Sequence, residues 1–150
     1  MKKNLGYIFL YISALTAIAS ILCMFGAAVT YSGLLVSESV NFFDLVKPAG
    51  ELQIGILLAI IFIGLAVVIS AVIALLKLVA KAKNSAIYKF LAACGSLFAL
   101  AGGVLCFLTL QLVGLPTKYY QLGFGAILSG IFAIVSAVML CAYVFLPSKK

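Results

Sequence analysis

The segment KLVAKAKNSAIYK, residues 77–89, decides the fold because it places four lysines in a short polar gap between two long apolar runs. The run before the gap covers residues 54–76, and the run after it covers residues 90–112. At a rise of about 1.5 Å per residue, either run makes a helix slightly longer than the roughly 30 Å of a bilayer's hydrocarbon core. The sequence therefore predicts a transmembrane helical hairpin whose turn carries Lys77, Lys81, Lys83 and Lys89.

Composition places the whole chain in the membrane class. Of its 150 residues, 67% are hydrophobic and only 9% are charged, and the mean hydropathy is +1.36. A soluble domain of this size still leaves roughly 30% of its unfolded-chain surface in water, so it cannot hide uncharged runs of this length. An integral membrane protein is the class that remains.

Two further apolar runs, about residues 5–31 and 122–146, bring the predicted spans to four. We therefore expect an all-α integral membrane fold, a four-transmembrane-helix bundle forming a single domain over residues 1–150. The runs are continuous and rich in alanine and leucine, which disfavours the alternating segments of about ten residues found in a transmembrane barrel. The first run exceeds the roughly 7–15 residues of a signal-peptide core, which predicts an uncleaved signal anchor.

Charge asymmetry predicts the orientation. With four spans, both termini and the lysine gap share one side, which carries eight lysines and no acid. The other side carries two lysines and three acids, Lys47, Lys118, Glu38, Asp44 and Glu51. Because short lysine-rich loops stay in the cytoplasm, this positive-inside pattern predicts an N-in/C-in, multi-pass protein of the plasma membrane.

The net charge of +7 raises the question of an acidic partner. The lysines flank apolar runs, and the chain has no arginine, so nucleic acid is not an expected partner. Anionic lipid headgroups on the cytoplasmic side are an expected partner, since each lysine near the surface contributes about 1 kcal/mol to binding the membrane. We assign this contact to Lys77, Lys81, Lys83 and Lys89.

The longest polar interval, residues 32–53, is expected on the outer side. Within it, residues 41–46 have a capping asparagine, an early acid and apolar positions at helical spacing, which predicts a short interfacial helix. A short strand, or a continuation of the first helix through residues 34–36, is the alternative.

Small residues recur four positions apart in every span, which puts them on one face of each helix. Such faces let helix backbones approach closely and gain dispersion contacts, so we expect a compact bundle or a homo-oligomer. The predicted packing residues are Ala19, Cys23 and Ala27, then Ala66, Ser70 and Ala74, then Gly95, Ala99 and Gly103, and finally Gly125, Ser129, Ala133 and Ala137.

Polar side chains within the spans are uncharged serines and threonines, and their hydroxyls are expected to bond back to carbonyls of the preceding turn. They are Ser13, Thr16, Ser20, Ser70, Ser96, Thr109, Ser129 and Ser136. An ionisable residue near the centre of a span marks proton- and cation-coupled pumps, and this chain has none there.

Catalytic and metal chemistry are not expected. The chain has no histidine and no paired carboxylates in its spans, and all four cysteines fall inside apolar runs. No cofactor is therefore predicted. The adjacent Tyr119 and Tyr120 are candidates for an aromatic cage, although tyrosines at this depth more often form the interfacial belt.

The loop layout is similar to that of the claudin-like tetraspan proteins. Their first outer loop carries a tryptophan-containing motif and a cysteine pair, whereas this chain has no tryptophan and no cysteine in residues 32–53. The resemblance therefore implies a layout and no function. We expect a non-catalytic accessory, scaffolding or immunity-type subunit that binds a membrane-protein partner, and the alternative is an oligomeric passive channel or small transporter subunit.

Overall fold

The computed structural model describes residues 2–32, 37–47, 52–80 and 86–146. Four long helices dominate the described chain: α1 (Lys2–Cys23), α3 (Ile54–Ala80), α4 (Ala86–Phe107) and α6 (Phe124–Phe145). Two short helices are α2 (Phe42–Leu45) and α5 (Thr109–Val113), and three strands are β1 (Ala27–Ser32), β2 (Ser37–Asn41) and β3 (Tyr120–Leu122).

The four long helices are apolar enough to cross a membrane, over Leu5–Cys23, Ile54–Lys77, Ala86–Phe107 and Phe124–Phe145. This confirms the prediction of four helices long and apolar enough to span a membrane, and it is compatible with a multi-pass protein. The outward faces of the helices are apolar as well, with Leu15 67% and Phe145 81% exposed. Large exposed apolar faces of this kind are compatible with contact between the helices and lipid.

The long helices form a closed ring in which α6 packs between α1 and α4, and α3 packs between α4 and α1. At one end of the ring, the Lys77 ammonium lies over the rings of Tyr7 and Tyr143. Lys89 bonds the Leu146 carbonyl at the same end. We call this end the lysine end, and the opposite end, which carries the strands, the sheet end.

Buried side chains fill the bundle at each level. Near the sheet end they include Met24, Ile56 and Cys106, and near the lysine end Leu10, Ile73 and Leu140. In between, the buried cluster consists of alanines, Ala66, Ala99 and Ala137. Small residues at this level allow the helix backbones to come close together, which increases dispersion contacts between them.

Hydroxyl pairs join α1 to α6 along a line that we call the serine seam, formed by Ser13, Ser20, Ser129 and Ser136. The Ser13 and Ser136 hydroxyls lie 3.0 Å apart, and the Ser20 and Ser129 hydroxyls lie 3.1 Å apart. Ser20 also donates to the Ser129 carbonyl at 2.9 Å. The expectation that these serines bond within their own helix is therefore wrong.

The seam exists because its serines are spaced seven residues apart on both helices, which is close to two turns. Two antiparallel helices then bring both pairs into contact at once. Ser96 of α4 also bonds to another helix, donating to the Ala137 carbonyl at 2.9 Å. The predicted back-bonding is confirmed for Thr16, Ser70 and Thr109.

The described strands form an antiparallel sheet in the order β2-β1-β3. The first span was predicted to continue to residue 31, but α1 ends at Cys23 and residues 27–32 form β1 instead. Likewise, α4 ends at Phe107 and α6 begins at Phe124, because α5 and β3 occupy the chain near those predicted span ends. Residues 27–32 extend because they find partners on both sides, in β2 and in β3.

A short helix, α2, lies within residues 41–46 as predicted, and its location at a membrane interface stays a prediction. Its first turn is capped by the Asn41 side chain, which accepts a hydrogen bond from the Asp44 amide at 2.9 Å. An interfacial helix would place its phenylalanines in the headgroup region, but Phe42 is fully buried in the protein. The exposed Phe43 packs against Phe25, with ring centroids 4.7 Å apart. The polar interval also contains a short strand, because β2 ends at Asn41, immediately before this helix.

The serine seam predicts an energetic coupling between Ser20 and Ser129. In a double-mutant cycle with Ser20→Ala and Ser129→Ala, we expect a coupling of about 0.6 kcal/mol, and at most about 1.7 kcal/mol, as for other hydrogen bonds between membrane helices. Reversible unfolding in mixed micelles measures it. The cycle of Ser20→Ala with Ser136→Ala is the control, since these residues are not partners, and equal couplings in the two cycles would contradict the seam.

Candidate functional site

Register places two rows of side chains on one face of the sheet. Tyr31 of β1 is the partner of Glu38 in β2 and of Tyr120 in β3. Two residues away, Val29 is the partner of Val40 and of Leu122. Because residues two apart in a strand share a face, these rows lie side by side on the same face.

A pocket of about 260 Å³ opens on this face, and we call it the sheet pocket. Its apolar lining is Val29, Val40, Leu45 and Leu115, of which Val29 and Leu45 are buried. Tyr31, Tyr120 and Glu38 complete the lining. The pocket therefore combines an apolar floor, aromatic rings and one carboxylate.

The two tyrosines of the sheet pocket contact each other. Their ring centroids lie 5.2 Å apart and the ring planes are tilted by 49°. This spacing and tilt are typical of favourable aromatic pairs. Glu38 is exposed at the rim, and among the described residues it forms no salt bridge.

The alternative of an aromatic cage made by Tyr119 and Tyr120 is not met. Tyr119 is 47% exposed and has the Lys118 ammonium 5.6 Å from its ring centroid, whereas Tyr120 packs against Tyr31. Sequence reasoning missed Tyr31 as a partner because it assigned residue 31 to the first span. The alternation of Val29, Thr30 and Tyr31 was the available signal for a strand.

Three glycines fasten the sheet to the helices at what we call the glycine junction, Gly26, Gly123 and Gly125. The Gly123 amide donates to the Ala28 carbonyl at 2.8 Å. A methyl group added at Gly125 would lie 2.6 Å from the Cys23 carbonyl oxygen, and one added at Gly123 would overlap the Ala27 carbonyl. The chain segments that leave α1 and enter α6 therefore touch backbone to backbone.

At the lysine end, the ammonium groups of Lys77 and Lys89 both contact other parts of the protein. Lys77 is only 4% exposed, and its ammonium lies 4.7 Å from the Tyr143 ring centroid and 5.7 Å from that of Tyr7. Lys89 donates to the Leu146 carbonyl at 2.6 Å, just beyond the end of α6, where the helix dipole favours a positive charge.

The contacts of Lys77 and Lys89 within the protein compete with the lipid contacts predicted for these lysines. Lys77 points into the bundle, so a direct bond to a headgroup would require its side chain to leave the tyrosines. Half-buried Lys89 is engaged by the Leu146 carbonyl. Lys81 and Lys83 lie outside the described residues.

The predicted packing residues of three helices lie in the bundle interior. They are Ala66, Ser70 and Ala74 of α3, Gly95, Ala99 and Gly103 of α4, and Gly125, Ser129, Ala133 and Ala137 of α6, all of which are buried. In the first segment, Ala19 and Cys23 are half-buried and Ala27 lies in β1. The buried face of α1 instead presents Leu10, Ser13, Ala17 and Ser20.

Within the described ranges, no group of three or more histidine, cysteine or carboxylate side chains is placed to hold a metal ion. The four cysteines are not joined by disulfides. Comparison with protein-family models and with curated protein sequences gave no match to this chain.

The glycine junction predicts that Gly125→Leu destabilises the protein more than Gly64→Leu does. At Gly125 a side chain would collide with the Cys23 carbonyl, whereas a methyl added at Gly64 meets no atom within 4 Å. Overpacking of this kind costs typically about 1–3 kcal/mol or more. Unfolding in micelles, compared between the two variants, checks this, and similar losses for both would count against the junction.

Proposed function

We propose that this chain is a small non-catalytic accessory protein that binds a partner membrane protein through its sheet end. The observation that carries the proposal is that both outer connections contribute strands to one sheet, which the glycine junction joins to α1 and α6. A surface held in this way presents a defined shape to a partner, at little ordering cost on binding.

The composition of the sheet supports a protein contact. The face opposite the sheet pocket carries short polar side chains, including Thr30, Ser39 and Gln121. In the described chain, β2 and β3 each have a lateral edge with no strand beside it. Open edges can pair with a strand of another protein, which gives main-chain hydrogen bonds to the complex.

The filled bundle interior favours the accessory function over a conducting one. Buried side chains occupy every level between the two ends, and no buried side-chain nitrogen or oxygen atom of the described residues lacks a hydrogen bond. A conduction path through one copy would have to displace these groups. A channel would therefore need a path between several copies.

The proposal includes an orientation, with the lysine end in the cytoplasm and the sheet end outside. The contacts of Lys77 with Tyr7 and Tyr143 bring the end of α3 next to the start of α1 and the end of α6. The eight lysines of the termini and of residues 77–89 then belong to one side, and the positive-inside pattern makes that side cytoplasmic in the plasma membrane.

Cysteine accessibility tests the orientation. We expect an impermeant maleimide to label Ser39→Cys from outside intact cells and Ala86→Cys only after the membrane is opened, because both positions are exposed and lie at opposite ends of the bundle. The unmodified chain, whose four cysteines all lie within the spans or their edges, sets the background. The reverse labelling pattern would overturn the orientation.

Site-specific photo-crosslinking tests the partner. With benzoylphenylalanine at Ser39, we expect one membrane protein to be captured in a stoichiometric complex from living cells, and with the same group at Ala86 we expect no such product. Capture of the chain's own copies only, together with ion or solute flux in reconstituted vesicles, would support the channel alternative instead. Equal products from both positions, or none from Ser39, would also refute the accessory proposal.

A further inference from the structure

We propose that the sheet pocket is a binding site for a small organic cation of the alkylammonium class, with a quaternary ammonium as its best-fitting member. This inference does not rest on the accessory function. It rests on three features of the pocket that point to the same ligand chemistry: the tyrosine pair, the position of Glu38 and the apolar floor.

The aromatic pair supplies the first feature. Tyr31 and Tyr120 are direct cross-strand partners with centroids 5.2 Å apart, and both line the pocket. A cation within about 6 Å of a tyrosine ring is attracted by the negative face of the ring. Because both rings line the pocket, a cation bound there lies next to both tyrosines.

Glu38 supplies the second feature. It is the partner of Tyr31 on the other side of β1, so the carboxylate and the two rings form one row across the three strands. All three side chains line the same pocket, so a ligand bound there lies close to each of them. Since Glu38 forms no salt bridge within the described part of the chain, its charge is available to a cationic ligand and repels an anion.

The floor and the volume limit the size of the ligand. The side chains of Val29, Val40, Leu45 and Leu115 are apolar, which matches methyl or short alkyl groups. The volume of about 260 Å³ is below the roughly 300–1,000 Å³ of pockets for drug-sized ligands. A choline-sized molecule therefore suits the pocket better than a large amphiphile.

Choline and its uncharged isostere 3,3-dimethylbutan-1-ol are the probes for this proposal. The full chain is kept in maltoside micelles, because phosphatidylcholine would itself supply a quaternary ammonium. Calorimetric titration should show saturable binding of choline. Because a cation over an aromatic ring gains about 0.5–2 kcal/mol, the isostere should bind about two- to thirtyfold more weakly.

Four variants assign the binding to the pocket. Tyr31→Leu should weaken choline binding several-fold to about tenfold, whereas Tyr31→Phe, which keeps the ring, should bind within about twofold of the unmodified chain. Glu38→Gln should weaken binding by a smaller factor, about two- to fivefold, because an exposed charge is screened by solvent. Asp44→Asn removes one negative charge at the same end of the molecule, outside the pocket lining, and should leave affinity unchanged.

Three results would overturn the proposal. Equal binding of choline and its isostere would mean that the pocket recognises only apolar groups. Equal weakening by Glu38→Gln and Asp44→Asn would mean general attraction to a negative surface. Absence of saturable choline binding to a chain that remains folded would mean that the pocket is no cation site. Crosslinking from Ser39 uses the opposite face of β2, so it reports on the accessory function separately.

Discussion

The antiparallel contact between α1 and α6 is the constraint on which the rest of the structure depends. Its serine pairs have no water to compete with them inside a membrane, so they hold the two helices in one register. At the sheet end the same contact continues to the glycine junction, where the backbone after α1 touches the backbone at the start of α6. The strand that follows α1 and the strand that precedes α6 are thereby brought side by side, and β2 can then pair with β1.

The chemistry of the sheet pocket follows from this register. A slip of one residue between β1 and β3 would turn one strand's side chains to the opposite face, and Tyr31 would no longer meet Tyr120. The pocket also takes Leu45 from α2 and Leu115 from the segment after α5. Packing between the long helices therefore helps to set the register of the sheet, although none of the seam serines lines the pocket.

At the lysine end, residues to which we assign a proposed topological role also make structural contacts. The Lys77 ammonium lies over the rings of Tyr7 and Tyr143, near the ends of three helices. Lys89 closes α6 by bonding the carbonyl of Leu146. The proposed cytoplasmic location is therefore compatible with the observed packing. The charged ends of these side chains can remain near the membrane boundary while their aliphatic parts pack against the bundle.

The sequence by itself determined four spans, the polar gap at residues 77–89 and the capped helix at residues 42–45, because hydrophobic length, charge and capping are local properties. It did not determine where α1 ends, since residues 27–32 leave the helix to pair with strands that are distant in sequence. The serine pairs and the Tyr31–Tyr120 contact were likewise decided by tertiary structure, because each joins residues that are distant in sequence. Ser13 and Ser136 lie 123 positions apart, and Ser20 and Ser129 lie 109 positions apart. A hydroxyl or a ring in one segment carries no information about which distant segment it will meet, and only the packing of α1 against α6 supplies it.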